Sequence, residues 1–283
     1  MRERLTSGIT IQSAIAILLL AAALAVGAFA PQSAYAADKV GVFVMKSMTI
    51  TEPHTDYDDV DATEFTYYAN GLVKKAKRTE LHGGMKYKYA EKFKYSKLAL
   101  KTVVSGYSGD KAATSKYKTD SKGRVVGLVG QKCTWKYDKK GRLAKLTYPS
   151  GGTAYITYSY DSKGCMKKSY WEDNYYGDAI WTFKYDSHGQ VKKATSASIY
   201  KPKNKTVYTF KNTYKGSRLV KQVTRNKTDG YVVDIREFKY QKISVPKNAV
   251  NMVKAQQQAY RSDHVMGAYQ PVDALPNVIA AHR

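Results

Sequence analysis

The sequence predicts an all-β protein: an antiparallel meander of about eight hairpin repeats, forming an open or curled single sheet with a C-terminal helical cap. Three observations carry that reading. A unit of about 25 residues recurs along the chain, each copy alternates with strand period around an Asp-x-x-Gly turn, and tyrosine displaces aliphatic residues as the main apolar filling. Beyond residue 36 there are 9 Leu and 7 Ile against 24 Tyr. A phenol suits a half-buried sheet face, where the ring packs across strands and the hydroxyl reaches water.

The elements follow in chain order. Residues 1–36 read as a signal peptide: Arg2 and Arg4 precede an apolar run to Phe29, which ends at the small-x-small site Ala34-Tyr35-Ala36, so cleavage is expected after Ala36. Ile9 to Ala30 is about long enough to span a bilayer, but Thr10, Gln12 and Ser13 interrupt its start, and no integral span is expected after cleavage. There is no Cys at the cleavage point for a lipid anchor, and Leu275-Pro276-Asn277 lacks the rest of a wall-sorting signal. The expected location is therefore secreted or cell-surface associated. Residues 37–59 hold a first strand, marked by the alternating Val40, Val42 and Val44, and an acidic loop around Asp58 and Asp59.

Residues 60–243 form the repeat domain. Phe183-Lys184-Tyr185-Asp186-Ser187-His188-Gly189-Gln190-Val191-Lys192-Lys193 aligns without a gap to Phe65-Thr66-Tyr67-Tyr68-Ala69-Asn70-Gly71-Leu72-Val73-Lys74-Lys75. Further copies start at Tyr117, Trp135 and Tyr158, and degenerate ones at Phe93, Phe210 and Phe238. In each, Asp accepts from the backbone ahead and Gly takes a left-handed position: Asp120 and Gly123, Asp138 and Gly141, Asp161 and Gly164, Asp186 and Gly189, with Gly71 in the first copy. In residues 244–283, Ser244 and Pro246 open a helix to about Arg261, read as covering the last sheet edge.

The segment Tyr137-Asp138-Lys139-Lys140-Gly141-Arg142-Leu143 resembles the Tyr-Asp repeat, Tyr-Asp-x-x-Gly-Arg-Leu, of the RHS/YD-repeat families. The resemblance covers roughly residues 60–243. It implies a sheet built by spiral or meander addition, which in large relatives closes into a hollow shell around a toxin. Cys165 and Gln190 stand where the motif has Arg, and Thr119 where it has Tyr.

Function is less legible. Cys133 and Cys165, three strands apart by the predicted turns, are placed about 20 Å from each other, beyond disulfide reach. No His-Glu-x-x-His, Gly-x-Ser-x-Gly or paired-Cys motif occurs, so no catalytic residue, metal or cofactor is expected. The composition carries the rest. Beyond residue 36, 45 Lys and Arg face 22 Asp and Glu, a net charge of +23 in the exported part. Lysines recur on both arms of the hairpins, Lys136, Lys167, Lys168, Lys192 and Lys193 among them, and the aromatics Trp171, Tyr175, Tyr176 and Trp181 cluster around one link. These are the candidate ligand-binding residues. They suggest a non-enzymatic protein whose partner is anionic cell-wall polymer, or a surface glycan or protein, with no specific nucleic acid. Two alternatives are a polymer-acting hydrolase using Glu172, Asp173 and Asp178, and an RHS-type shell fragment working with a separate toxin.

Overall fold

A computed structural model describes residues 38–53, 58–96, 98–122, 124–149, 153–172 and 178–262. The strands are β1 (Lys39–Pro53), β2 (Asp58–Tyr67), β3 (Val73–His82), β4 (Met85–Ser96), β5 (Ala99–Tyr107), β6 (Ala113–Thr119), β7 (Val125–Leu128), β8 (Thr134–Tyr137), β9 (Leu143–Pro149), β10 (Thr153–Tyr160), β11 (Met166–Glu172), β12 (Ala179–Tyr185), β13 (Val191–Ser198), β14 (Lys205–Lys215), β15 (Arg218–Asn226) and β16 (Val232–Pro246). One 3-10 turn then leads into helix α1 (Val250–Ser262).

The open or curled sheet expected from the sequence is wrong. All sixteen strands form one closed antiparallel barrel in which β1 pairs with β16 as well as with β2. The physical reason lies in the eighth unit. Phe238-Lys239-Tyr240 on β16 supplies only the first arm of a hairpin, and its second arm is β1, from the other end of the domain: Phe238 lies opposite Met48 and Tyr240 opposite Met45. Closure leaves no edge strand in the sheet, so the helix has no edge to cap.

The leading aromatic of every unit faces the interior. Phe65, Phe93, Tyr117, Trp135, Tyr158, Phe183, Phe210 and Phe238 are all buried, each contributing about 1.5–3 kcal/mol by removal from water. Two residues further on, in six of the eight units, a tyrosine ties its unit to the one before. Tyr95 donates to the Val73 carbonyl (3.1 Å), Tyr160 to Leu143 (2.6 Å), Tyr185 to Met166 (2.8 Å) and Tyr240 to Leu219 (2.7 Å). Each accepting residue sits at a β-bulge, where the ladder slips by one.

The turns explain the rest of the motif. Asp138 Oδ1 accepts from the backbone N–H of Lys140 and Arg142, both at 2.9 Å, and Gly141 takes φ +79°. Burial alone would raise the Asp138 pKa, but the backbone and guanidinium of Arg142 outweigh it and hold the carboxyl below its ordinary value. Arg142 Nε also donates to Asp138 Oδ2 (2.7 Å), and its guanidinium lies 4.4 Å from the ring centre of Tyr160 in the next unit. Arg124 repeats this with Asp120 and Tyr137. Where Gln190 replaces Arg, Asp186 accepts instead from Asn212 (2.8 Å) and Tyr214 (2.5 Å). Gly164 and Gly189 have φ +85° and +73°, and Gly123 lies outside the described residues.

Helix α1 lies inside the barrel at the Asp-x-x-Gly end. Val253 packs beside Gly71 and Val245, Gln256 and Gln257 reach Val73 and Met45, and the Tyr260 ring meets Phe65 at 4.6 Å. The helix therefore runs from the turn end toward the middle of the interior. Gln257 closes a ring of hydrogen bonds: Met45 N–H donates to its Oε1 (2.5 Å), its Nε2 donates to Tyr67 Oη (3.2 Å), and Tyr67 donates to the Met45 carbonyl (2.5 Å). Gln256 does the same around Val73 with Tyr95. The bulge turns these peptide groups inward, and an amide side chain satisfies them where an apolar one would not. A small cavity beside Tyr260 is lined by Arg78, Tyr89 and Glu91.

Candidate functional site

Lysine-Lysine pairs such as Lys74-Lys75, Lys167-Lys168 and Lys192-Lys193 break the two-residue alternation of a strand. The bulge accounts for them. Its extra residue is Lys74, Lys167 or Lys192, exposed and outside the ladder, and the next lysine resumes the ladder on the outer face.

That next ladder step builds a belt. The pairs are Thr66 with Lys75, Lys94 with Thr102, Lys118 with Gly127, Lys136 with Lys145, Ser159 with Lys168, Lys184 with Lys193, Thr213 with Lys221, and Lys239 with Ser47. Every one of the eight units, including the one closed by β1, contributes at least one lysine at the same level. Lys46 and Lys101 are exposed bulge residues like Lys74. Two pairs set like charges directly opposite, which costs the sheet stability. Among the described residues, one belt lysine meets a carboxylate: Lys221 Nζ is 2.9 Å from Glu237. Partial burial, reinforced by Lys77 and Lys92, lowers the pKa of Lys75.

Lysine recurs on the outer wall, and β7 and β8 have 4 residues each, fewer than the about 9–11 of a strand that crosses a bilayer.

The other candidate residues fall in different places. Lys136, Lys168 and Lys193 are belt residues, and Lys167 and Lys192 flank it. Trp171 and Trp181 face inward. Trp171 pairs with Ile156 and donates to Ser169 Oγ (3.2 Å), while Trp181 stacks on Tyr208 at 5.7 Å. Tyr175, Tyr176 and Asp173 lie outside the described residues. Glu172 is on the outer wall, where its carboxylate accepts from Tyr155 and Tyr170, and Asp178 accepts from Tyr200 (2.7 Å). Hydrogen bonding to Glu172 raises Tyr155 to about 12. Cys133 and Cys165 are free and buried, and desolvation pushes the Cys165 thiol up to about 11. Neither is a poised nucleophile.

At the mouth opposite the helix, the interior is acidic. His82 Nδ1 is 3.1 Å from Asp59 and its Nε2 3.2 Å from Asp61, so both ring nitrogens face carboxylates, an arrangement that suits the doubly protonated ring. The hydrogen bond to Asp59 raises the His82 pKa. Tyr107 donates to Glu80 at 3.2 Å nearby. Sequence reasoning missed this cluster because Asp59, Asp61 and His82 converge only through the β2–β3 register.

No protein-family model matches the sequence, and no curated protein matches it. Among solved structures, a porin-like protein from Bacteroides uniformis ATCC 8492 is 12% identical, with a TM-score of 0.49 over 70% of this chain and 97% of its own. A porin-like protein from Bacteroides vulgatus ATCC 8482 is 8% identical over 70% and 98%, with a TM-score of 0.33. The TcdB2-TccC3 structure is 11% identical with a TM-score of 0.38; the match takes in 64% of this chain and spans 11% of that one.

Proposed function

We propose that this is an exported, non-enzymatic protein that binds an anionic polymer of the cell envelope through the lysine belt on its outer wall. The observation that carries the reading is the belt itself: eight units with different surface residues each keep a lysine at one ladder step, two of them at the cost of like charges directly opposite. A polyanion relieves that repulsion. The leader expected over residues 1–36 supports an envelope location. The repeated bulge, the tyrosine that caps it and the Arg142–Asp138 pair support kinship with the Tyr-Asp repeat families.

The test is retention of residues 37–283 on purified cell wall, before and after removal of its anionic polymers, across a salt series. The reading expects retention that disappears with the polymer and falls steeply with salt. Salt-insensitive retention, or none, contradicts it.

A further inference from the structure

Resting on that reading, we infer that the ligand is a single flexible, phosphate-bearing chain that wraps the girth of the barrel along the belt. Because the sheet is closed, the belt has no ends: its last unit, on β16 and β1, adjoins its first on β2 and β3. Units recur every two strands, about 10 Å apart, and sixteen strands give a backbone girth on the order of 80–100 Å once strand tilt is included. The radius is then about 12–16 Å, tighter than any stiff polymer follows. Duplex DNA, with a persistence length of about 500 Å, cannot take that path without a large bending cost.

The residues between the lysines define the chemistry further. Opposite the single lysines stand Thr66, Thr102, Ser159, Thr213, Ser47 and Gly127. These are short side chains, mostly hydroxyl donors, and none has an aromatic face. A base or a sugar ring is gripped by stacking; Trp171 and Trp181 face inward, and the outer-wall ring beside the belt, Tyr155, is already taken up by Lys145, whose Nζ lies 3.8 Å from its centre, and by the stacked Tyr170. What it offers is ammonium groups interspersed with hydroxyl donors, which suit a chain of phosphate oxygens on a mobile backbone. The ligand class is thus a phosphodiester-linked or polyphosphate chain.

The experiment titrates residues 37–283 with inorganic polyphosphate of graded length. Affinity is expected to rise with length and level off near the girth, at roughly 30 phosphates of about 3 Å each, with one chain bound per protein. Contact with all ten belt lysines gives a log-log salt slope near −7 at about −0.7 per phosphate. Two double variants on opposite sides of the barrel, Lys136→Gln with Lys145→Gln and Lys75→Gln with Lys239→Gln, are each expected to reduce that slope by about 1.4. A plateau at a few phosphates, with only one variant pair mattering, overturns the wrapping while leaving a local anion site. Duplex DNA binding as tightly as polyphosphate of equal charge overturns the flexible-chain assignment. Failure of every polyanion to bind at low salt overturns the belt reading itself.

Discussion

Removing the Tyr67 hydroxyl is the sharpest probe of how the helix is held in the barrel. That hydroxyl makes two of the three bonds around Met45, donating to its carbonyl and accepting from Gln257. Burial pushes the phenol pKa well above its ordinary range, as expected for a group that must stay protonated to donate there. In Tyr67→Phe the Met45 carbonyl and one Gln257 N–H lose their partner. At about 1–3 kcal/mol for each of the two buried groups left unsatisfied, the expected cost is about 2–6 kcal/mol. For a domain of this size that lowers Tm by roughly 5–25 °C. Gln257→Leu orphans the Met45 N–H and is expected to cost about 1–3 kcal/mol. Because the two side chains share one ring of bonds, the double variant should cost less than the sum by about 1 kcal/mol or more. Urea unfolding followed by tryptophan fluorescence measures all three. Additivity within about 0.5 kcal/mol, or a Tyr67→Phe cost below that, would refute the cyclic arrangement.

Other consequences are as direct. A Cβ at Gly71 would stand 2.5 Å from Val245 Cγ1 and 2.8 Å from Val253 Cγ2 at φ +83°, whereas one at Gly130, with φ +78°, would meet nothing within 4 Å; Gly71→Ala should therefore lower the urea midpoint far more than Gly130→Ala, and equal effects would mean the helix does not pack there. His82 has a folded pKa raised above the ordinary 6.5, so its contribution is fully present below pH 6.5 and is lost as pH rises through the folded value. Urea midpoints of the parent should fall across that window relative to His82→Gln, by a modest amount because the ring is 43% exposed; a pH-independent difference would contradict the pairing with Asp59 and Asp61.

How much of this was legible depends on whether the information was local. Phe183, Tyr185 and the Asp186-x-x-Gly189 turn lie within seven residues, so repetition revealed the hairpins. The partner of β1 lies about 190 residues away, and nothing in Val40, Val42 and Val44 specifies whether their neighbour is β2 alone or β16 as well. That is why closure was invisible and an edge-capping helix was inferred. Gln256, Gln257 and Gln258 read as an ordinary polar stretch, yet all three are buried: the first two bond inward-turned bulge amides, and Gln258 bonds the Gln190 side chain. Trp181 was readable, since alternation through Thr182, Phe183 and Lys184 puts it on the face of the buried Phe183. The belt was half legible: the lysines were plain, but their common level depends on a bulge that composition does not reveal.

The continuity of the belt depends on closure, which one cross-link tests. Thr49 and Glu237 lie directly opposite each other on the outer face of β1 and β16, where paired Cα atoms are about 4.5–5.5 Å apart and within disulfide range. In an open sheet the same residues would lie on opposite edges, on the order of 70 Å apart. With Cys133 and Cys165 replaced by Ala, a Thr49→Cys/Glu237→Cys variant is expected to form an intramolecular disulfide on mild oxidation, seen as a monomer of altered mobility on a non-reducing gel. Persistent free thiols, or intermolecular dimers alone, would contradict the closed barrel.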